Sequence, residues 1–181
     1  DTSYGSSSRS TYEPLGFPIL RIPNILRGKL DLSDLQWIQL EQKEASRYLL
    51  EAGDILIVRT NVNPDYVGRC VVVPLLETPM VYASYLIRLR VKGGNALPDF
   101  VAAMLNSSSI RRKLRSDIRS SAGNYNLNTA GIKRQEIPFL PHHQQIEFVD
   151  NTTRLGDVEN KIVFRLREAQ ELKYSALTIL E

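Results

Sequence analysis

Two short polar stretches of this sequence carry side chains that can read DNA bases. Residues 59–61 (RTN) follow an apolar run, and residues 120–128 (SSAGNYNLN) contain two serines, one tyrosine and three asparagines. Asparagine recognises adenine, and arginine recognises guanine, through paired hydrogen bonds. The same residue types also fill ordinary loops, because asparagine and serine bond their own backbone. The residues alone therefore leave both interpretations open.

A basic segment directly precedes the second polar stretch. Residues 110–119 (IRRKLRSDIR) contain five basic residues and one acid, within a chain of net charge +3. Lys113, Arg115 and Arg119 could hold phosphates while the neighbouring asparagines approach bases. A basic helix face is also commonly just solvated, so the segment is compatible with DNA binding without requiring it.

The common catalytic and metal-binding motifs are absent from the sequence. It contains no GxxxxGK[ST], GxSxG or HExxH motif, and no GxGxxG after a strand. Cys70, the only cysteine, lies in a strand pattern and is expected to be a small buried hydrophobe. His142 and His143 are the only histidines, which supplies a zinc site poorly. We predict no catalytic residue and no metal site, and a stand-alone nuclease with dispersed carboxylates remains an alternative.

The elements that must position the polar stretches form a mixed α+β pattern. Residues 55–58, 69–74 and 81–91 predict strands, and residues 98–105 and 110–118 predict helices. The composition, 43% hydrophobic and 24% charged, is that of an ordinary globular protein. No run of eighteen apolar residues exists, so we expect a cytoplasmic protein with no membrane partner.

Residues 141–181 predict one long helix with an apolar stripe. At 1.5 Å per residue, a helix from 144 to 180 would be roughly 55 Å long, which exceeds the diameter of a globular body of this size. The stripe is therefore predicted to pack on another helix, as in a coiled coil. A helix that folds back on its own domain, or that recruits a protein partner, is the alternative. The stripe consists of Val158, Ile162, Leu166, Ala169, Leu172, Ala176 and Leu180.

The order of segments resembles the specificity subunit of type I restriction-modification systems. The resemblance is carried by IPNI at residues 22–25, GDIL at 53–56, and IP at 137–138 followed by Gln145 and Ile146. It implies a fold of class α+β, with a mixed α/β target recognition domain at residues 1–140. It also implies that residues 141–181 form a long helix for dimerisation and spacing.

The same resemblance implies partners and an assembly. The chain would bind double-stranded DNA as a non-catalytic specificity subunit and direct methyltransferase (M) and restriction (R) subunits to a bipartite site. S-adenosylmethionine, ATP and Mg would belong to those subunits, and this chain would bind no cofactor. A complete subunit has two recognition domains and two long helices, so this chain is either a natural half-subunit or a fragment. A half-subunit would form a homodimer through its helix and read two symmetric half-sites.

The resemblance further implies that loops and basic residues of this domain contact DNA. The expected DNA-binding residues are Ser6, Ser7, Ser8, Arg9, Arg59, Thr60, Asn61, Lys113, Arg115, Arg119, Asn124, Tyr125, Asn126, Asn128, Lys133 and Arg134. Base contacts are expected for Arg59, Asn61, Asn124 and Asn126. Backbone contacts are expected for Arg9, Lys113, Arg115, Arg119, Lys133 and Arg134.

Overall fold

A computed structural model describes the backbone of residues 1–178, and their side chains except those of residues 160, 163, 164, 167 and 169–178. The strands are β1 (Thr2–Tyr4), β2 (Phe17–Leu20), β3 (Gln36–Ile38), β4 (Ile55–Val58), β5 (Thr60–Asn61), β6 (Cys70–Val72), β7 (Val81–Tyr82), β8 (Leu86–Leu89), β9 (Arg119–Ser121) and β10 (Asn124–Asn126). The α-helices are α1 (Gln42–Ala45), α2 (Pro98–Asn106), α3 (Ser108–Asp117), α4 (Thr129–Lys133) and α5 (His142–Thr178). Within residues 1–178, no helix is both long and apolar enough to cross a membrane.

A four-stranded antiparallel sheet, in the order β1-β8-β4-β6, forms the centre of the domain. Its strand β4 is buried at every position. Because successive side chains of a strand point to opposite faces, Ile55 and Ile57 pack into one apolar cluster, and Leu56 and Val58 pack into another. Both faces of the sheet are therefore covered, which explains why β4 is a continuous apolar run.

Helices α2 and α3 cover the first of these faces. Leu105 of α2 and Ile110 and Leu114 of α3 are buried in the same cluster as Ile57. Helix α2 begins at Pro98, whose fixed φ suits the first helical turn. Helix α3 is capped by Ser107, whose side-chain oxygen accepts a hydrogen bond from the Ile110 N–H. The two helices thus form a layer on the central sheet, and α3 leads along the chain into β9.

A smaller sheet, in the order β3-β2-β7, lies on the opposite side of the core. Leu20 of β2 and Tyr82 of β7 are fully buried and pack with Leu56 in the second cluster. Asn24 follows β2 and is 1% exposed. Its amide nitrogen donates to the carbonyl oxygens of Asp31 at 2.9 Å and Asp34 at 3.0 Å. The asparagine of the IPNI segment therefore holds the loop that leads to β3.

The GDIL segment contains a buried carboxylate that joins β4 to the strand beside it. Asp54 is 1% exposed and accepts hydrogen bonds from Arg90 Nε at 2.7 Å and from Arg90 Nη2 at 2.8 Å. The Glu51 N–H donates to the same carboxylate at 2.8 Å. Gly53, directly before Asp54, lies in a turn with a φ of +87°. Residues with a Cβ atom rarely adopt this conformation, so glycine suits the position. This ion pair fixes the start of β4 to the chain just after β8.

The first turns of α5 dock on α2 through one buried amide and one aromatic pair. Gln145 is 1% exposed; its oxygen accepts from the Leu97 N–H at 2.8 Å. Its nitrogen donates to the carbonyl oxygens of Asn95 at 2.9 Å and Leu140 at 2.8 Å. One turn further on, Phe148 packs edge-on against Phe100 with ring centroids 5.5 Å apart. The glutamine of the resemblance motif thus anchors the long helix to the domain.

The mixed α/β architecture agrees with the sequence prediction, and several elements differ from it. Residues 60–61 and 124–126, predicted as loops, form β5 and β10. The single strand predicted at 81–91 is two strands, β7 and β8, which belong to different sheets. The segment 137–140, predicted as a short strand or extended, forms no strand. Helix α5 begins at His142, one residue after the start of the predicted helical stretch at residue 141.

The buried amide of Gln145 gives a prediction about stability. Gln145→Ala removes three hydrogen bonds and leaves their backbone partners unpaired, which is expected to lower the free energy of unfolding by about 2–3 kcal/mol. Urea denaturation followed by circular dichroism measures the change. Gln144→Ala is the matched control, because Gln144 is exposed; its effect is expected to stay within about 0.5 kcal/mol. Equal effects of the two substitutions would contradict the anchoring role.

Candidate nucleic-acid interface

Both polar stretches predicted from the sequence meet in a second small sheet, in the order β5-β10-β9. Strands β9 and β10 form a hairpin in which Asn124 pairs with Ser121 and Asn126 pairs with Arg119. The turn consists of Ala122 and Gly123, with φ values of 47° and 79°. Positive φ at both central residues is typical of the type I′ turn, which closes hairpins that have a two-residue loop. The stretch that showed no periodicity is therefore an ordered ribbon.

The three-stranded sheet has one face on the core and one face in solvent. Tyr125 packs against the first apolar cluster, so the residues paired with its neighbours point the other way. Asn124 is exposed and Asn126 is half-buried. This outward surface, named here the polar face, consists of Thr60, Arg119, Ser121, Asn124 and Asn126. Its members are uncharged apart from Arg119.

Arg59 connects the central sheet to the polar sheet. Its N–H donates to the Tyr85 carbonyl at 2.9 Å, and its carbonyl accepts from the Leu127 N–H at 2.8 Å. Its guanidinium donates to the Ser84 carbonyl at 3.1 Å and lies 4.7 Å from the centroid of the Tyr4 ring. The side chain that was predicted to meet a base is thus engaged in joining three segments of the chain.

Two of the predicted asparagines have local structural partners. The Asn61 side-chain oxygen accepts from the Asn63 N–H at 2.9 Å and forms a turn after β5. The Asn128 side-chain oxygen accepts from the Gly131 N–H at 2.9 Å and caps α4. These are the backbone roles that asparagine commonly plays at turns and helix starts.

The opening segment is ordered by pairing with the central sheet. Strand β1 pairs with β8, and Ser6 next to it is 2% exposed. The Ser6 hydroxyl oxygen accepts from the Ser8 N–H at 3.2 Å, while Ser7, Ser8 and Arg9 are exposed. The interior position of Ser6 differs from the loop role predicted for it, whereas its three neighbours face solvent.

The predicted phosphate contacts divide into paired and unpaired cations. Arg115 forms an ion pair with Asp65, and Arg134 forms one with Asp117. The remaining predicted cations make no ion pair with any side chain that the structure describes; they are Arg9, Lys113, Arg119 and Lys133. The positive charge of these four side chains is not balanced by a described carboxylate in an ion pair, so it can attract an external anion.

Arg111 is a structural arginine that the sequence did not distinguish from its basic neighbours. Its guanidinium donates to the carbonyl oxygens of Val67 at 2.5 Å and Asp65 at 2.8 Å. Burial, together with the positive charge of Arg69, lowers the pKa of the Arg111 guanidinium. Arg111 therefore fastens helix α3 to the loop that follows β5.

An open cleft of about 860 Å³ lies beside Arg111, between α3, the loop before residue 30 and α5. Its charged lining residues are Arg27, Asp65, Arg69, Arg111, Arg115 and Glu159. Four arginines against two carboxylates give the cleft a positive excess. This concentration of cations was not predicted, because its members are distant in the sequence.

Helix α5 exposes the first part of the predicted apolar stripe. Val158, Ile162 and Leu166 are exposed by 53%, 54% and 59%. The other stripe positions have side chains outside the described set, at Ala169, Leu172 and Ala176, or lie outside the described residues, at Leu180. The described part of the stripe is therefore more than half exposed to solvent.

Three residues with potentially reactive side chains, Cys70, His142 and His143, lie within the described part of the chain. Cys70 is buried, and this burial raises the pKa of its thiol to about 12, which disfavours the nucleophilic thiolate. His142 and His143 are exposed at the start of α5. Among the described side chains, no three histidines, cysteines or acids come together as metal ligands would.

Two curated specificity subunits are among the known proteins that are similar to this chain. The chain is 29% identical over 178 residues to the type I restriction enzyme EcoKI specificity subunit of Escherichia coli (strain K12), covering 96% of this chain and 38% of that one. It is 26% identical over 181 residues to the StySPI specificity subunit of Salmonella potsdam, covering 98% and 39%. No protein-family model matches the chain.

Two solved structures share the fold at 18% sequence identity. One comes from work on complex assembly and conformational transition of a type I R-M system, with a TM-score of 0.65 over 99% of this chain and 40% of that chain. The other is the HsdS subunit from Thermoanaerobacter tengcongensis, with a TM-score of 0.59 over 87% and 35%. The chain spans about two fifths of the length of the curated relatives it matches. The resemblance predicted from the sequence is confirmed: the chain is similar to one part of the type I restriction enzyme specificity subunits.

Proposed function

We propose that the chain is a non-catalytic DNA-recognition unit of a type I restriction-modification specificity subunit. Residues 1–140 would be the target recognition domain, and residues 141–181 would be the helix that spaces and dimerises it. The observation that carries the proposal is the polar face of the sheet β5-β10-β9, an ordered and solvent-exposed surface with amide and hydroxyl groups and little charge. The names of the relatives support the same function.

The proposed division of labour follows from where the charges lie. Base edges in the major groove are recognised by amide, hydroxyl and guanidinium groups, whereas phosphates are held by cations. The polar face supplies the first kind of group, and the unpaired Lys113 and Lys133 supply the second. Lys113 lies on α3 directly before the hairpin, and Lys133 lies on α4 directly after it. The cations therefore flank the ribbon along the chain, as expected for a base-reading element held between phosphates.

The proposed assembly assigns all chemistry to other subunits. The chain would direct methyltransferase and restriction subunits, which would bind S-adenosylmethionine, ATP and Mg, to a bipartite DNA site in the cytoplasm. The exposed stripe of α5 would pair with a second such helix, because exposed large apolar residues at helical spacing are costly in water. In a homodimer the two copies would read inverted half-sites.

Binding to DNA is expected to depend steeply on salt. Lys113→Ala or Lys133→Ala is expected to weaken binding to all sequences alike and to reduce the slope of log affinity against log salt by about 1 each. A filter-binding titration at several salt concentrations measures this slope. Lys43→Ala is the control, because Lys43 is exposed on α1, away from the polar sheet. Absence of any salt-sensitive DNA affinity would instead favour a protein-interaction module.

Dimerisation through α5 is tested separately from DNA binding. Sedimentation velocity at micromolar concentration is expected to show a dimer for the unmodified chain and a monomer for Ile162→Glu, since a buried carboxylate would oppose helix pairing. Lys161→Glu is the control: it introduces the same residue one position away, outside the apolar stripe, and is expected to leave the dimer intact. A monomeric unmodified chain would contradict the proposed pairing.

A further inference from the structure

The hairpin β9–β10 is exposed to solvent over most of its length. Arg119, Ser120 and Ser121 are exposed, as are both turn residues and Asn124. Its attachment is on one side only, where Tyr125 reaches the apolar cluster and β10 pairs with β5. Because these exposed side chains make few contacts with the domain, the fold places little constraint on their identity. An external partner can therefore determine the sequence of the hairpin.

We propose that this hairpin enters the major groove of duplex DNA and that Asn124 and Asn126 read bases about two base-pair steps apart. The inference rests on the proposed function and adds to it the reading element and the spacing of the bases it reads. A two-stranded ribbon fits the width of the major groove. The single charge on the polar face is the cation of Arg119, which the negative potential of the groove attracts.

The spacing follows from strand geometry. Asn124 and Asn126 are two residues apart on one strand and therefore share a face, with about 7 Å between their attachment points. Successive base pairs are separated by about 3.4 Å along the duplex axis. Two residues of strand thus span about two base-pair steps, and Asn124 and Asn126 can each face a different base edge.

The chemistry of the two side chains favours adenine. A carboxamide can accept from adenine N6 and donate to adenine N7 at the same time. The Asn124 side chain makes no hydrogen bond with the described residues, and Asn126 donates only to the Asn124 carbonyl at 3.3 Å. Ser121 lies beside Asn124 on the same face and can add a hydroxyl. The two amides are therefore available to bases at little cost in existing hydrogen bonds.

Arg59 acts as a positioning residue and not as a base reader. Its carbonyl accepts from the Leu127 N–H at the end of β10, and its guanidinium is held between Tyr4 and Ser84. Arg59→Ala is therefore expected to weaken every base preference that the hairpin provides. Arg59→Lys, which keeps a cation over the Tyr4 ring, is expected to restore part of the loss.

Selection of binding sites from randomised DNA duplexes by the purified chain, followed by sequencing, tests the inference. The unmodified chain is expected to enrich a motif. Asn124→Ala and Asn126→Ala are each expected to relax one position of it, about two base pairs apart, with about tenfold weaker binding to the selected site. Asn95→Ala is the matched control, an exposed asparagine outside the polar sheet, and is expected to retain the full motif.

The possible outcomes separate the inference from the proposed function. If the unmodified chain enriches a motif and both hairpin variants retain every position of it, the hairpin does not read bases, while the proposed function stands. Equal loss at all positions in a variant with an unchanged thermal midpoint would also overturn the inference, since it indicates a phosphate contact. If the unmodified chain enriches no motif, sequence recognition by this chain fails and the inference fails with it.

Discussion

The junction at Arg59 is the constraint on which the candidate interface depends. One residue before it, β4 is buried on both faces; one residue after it, β5 begins a sheet with a face in solvent. A strand can leave a fully buried layer only if its backbone groups find partners at the exit. Arg59 finds them in Tyr85 and Leu127, so the orientation of the exposed sheet is fixed by the buried one. The exposed sheet is thereby joined to the core through backbone hydrogen bonds.

The charges of the domain serve two different purposes. The pair of buried Asp54 and half-buried Arg90 ties one loop to the core, and Arg111 ties another through its backbone acceptors. Exposed ion pairs such as that of Arg115 and Asp65 add little stability, because water screens them. Lys113 has no acidic partner among the described side chains. A modest net charge therefore conceals a local surplus beside the hairpin.

The parts of the fold with an apolar pattern were predictable from the sequence. Strand β4 was predicted because a strand buried on both faces is a continuous apolar run. The hairpin was not, because its outward residues are polar and its Ala122-Gly123 turn lacks the leading asparagine of the strongest hairpin signal. Ser6 is buried where it forms a long-range parallel bridge with Ala83, which no local pattern indicates. The fully buried Gln145 was identified by family resemblance and not by physical reasoning.

In the proposed function, the sheet β5-β10-β9 faces DNA. The sharpest test is hydrogen–deuterium exchange of the chain with and without a duplex that carries its enriched sequence. We expect slower exchange in the presence of DNA at β5, β9 and β10, with no change in α1 on the opposite side of the core. Protection confined to α1, or unchanged exchange throughout the hairpin under conditions of saturating DNA, would contradict it.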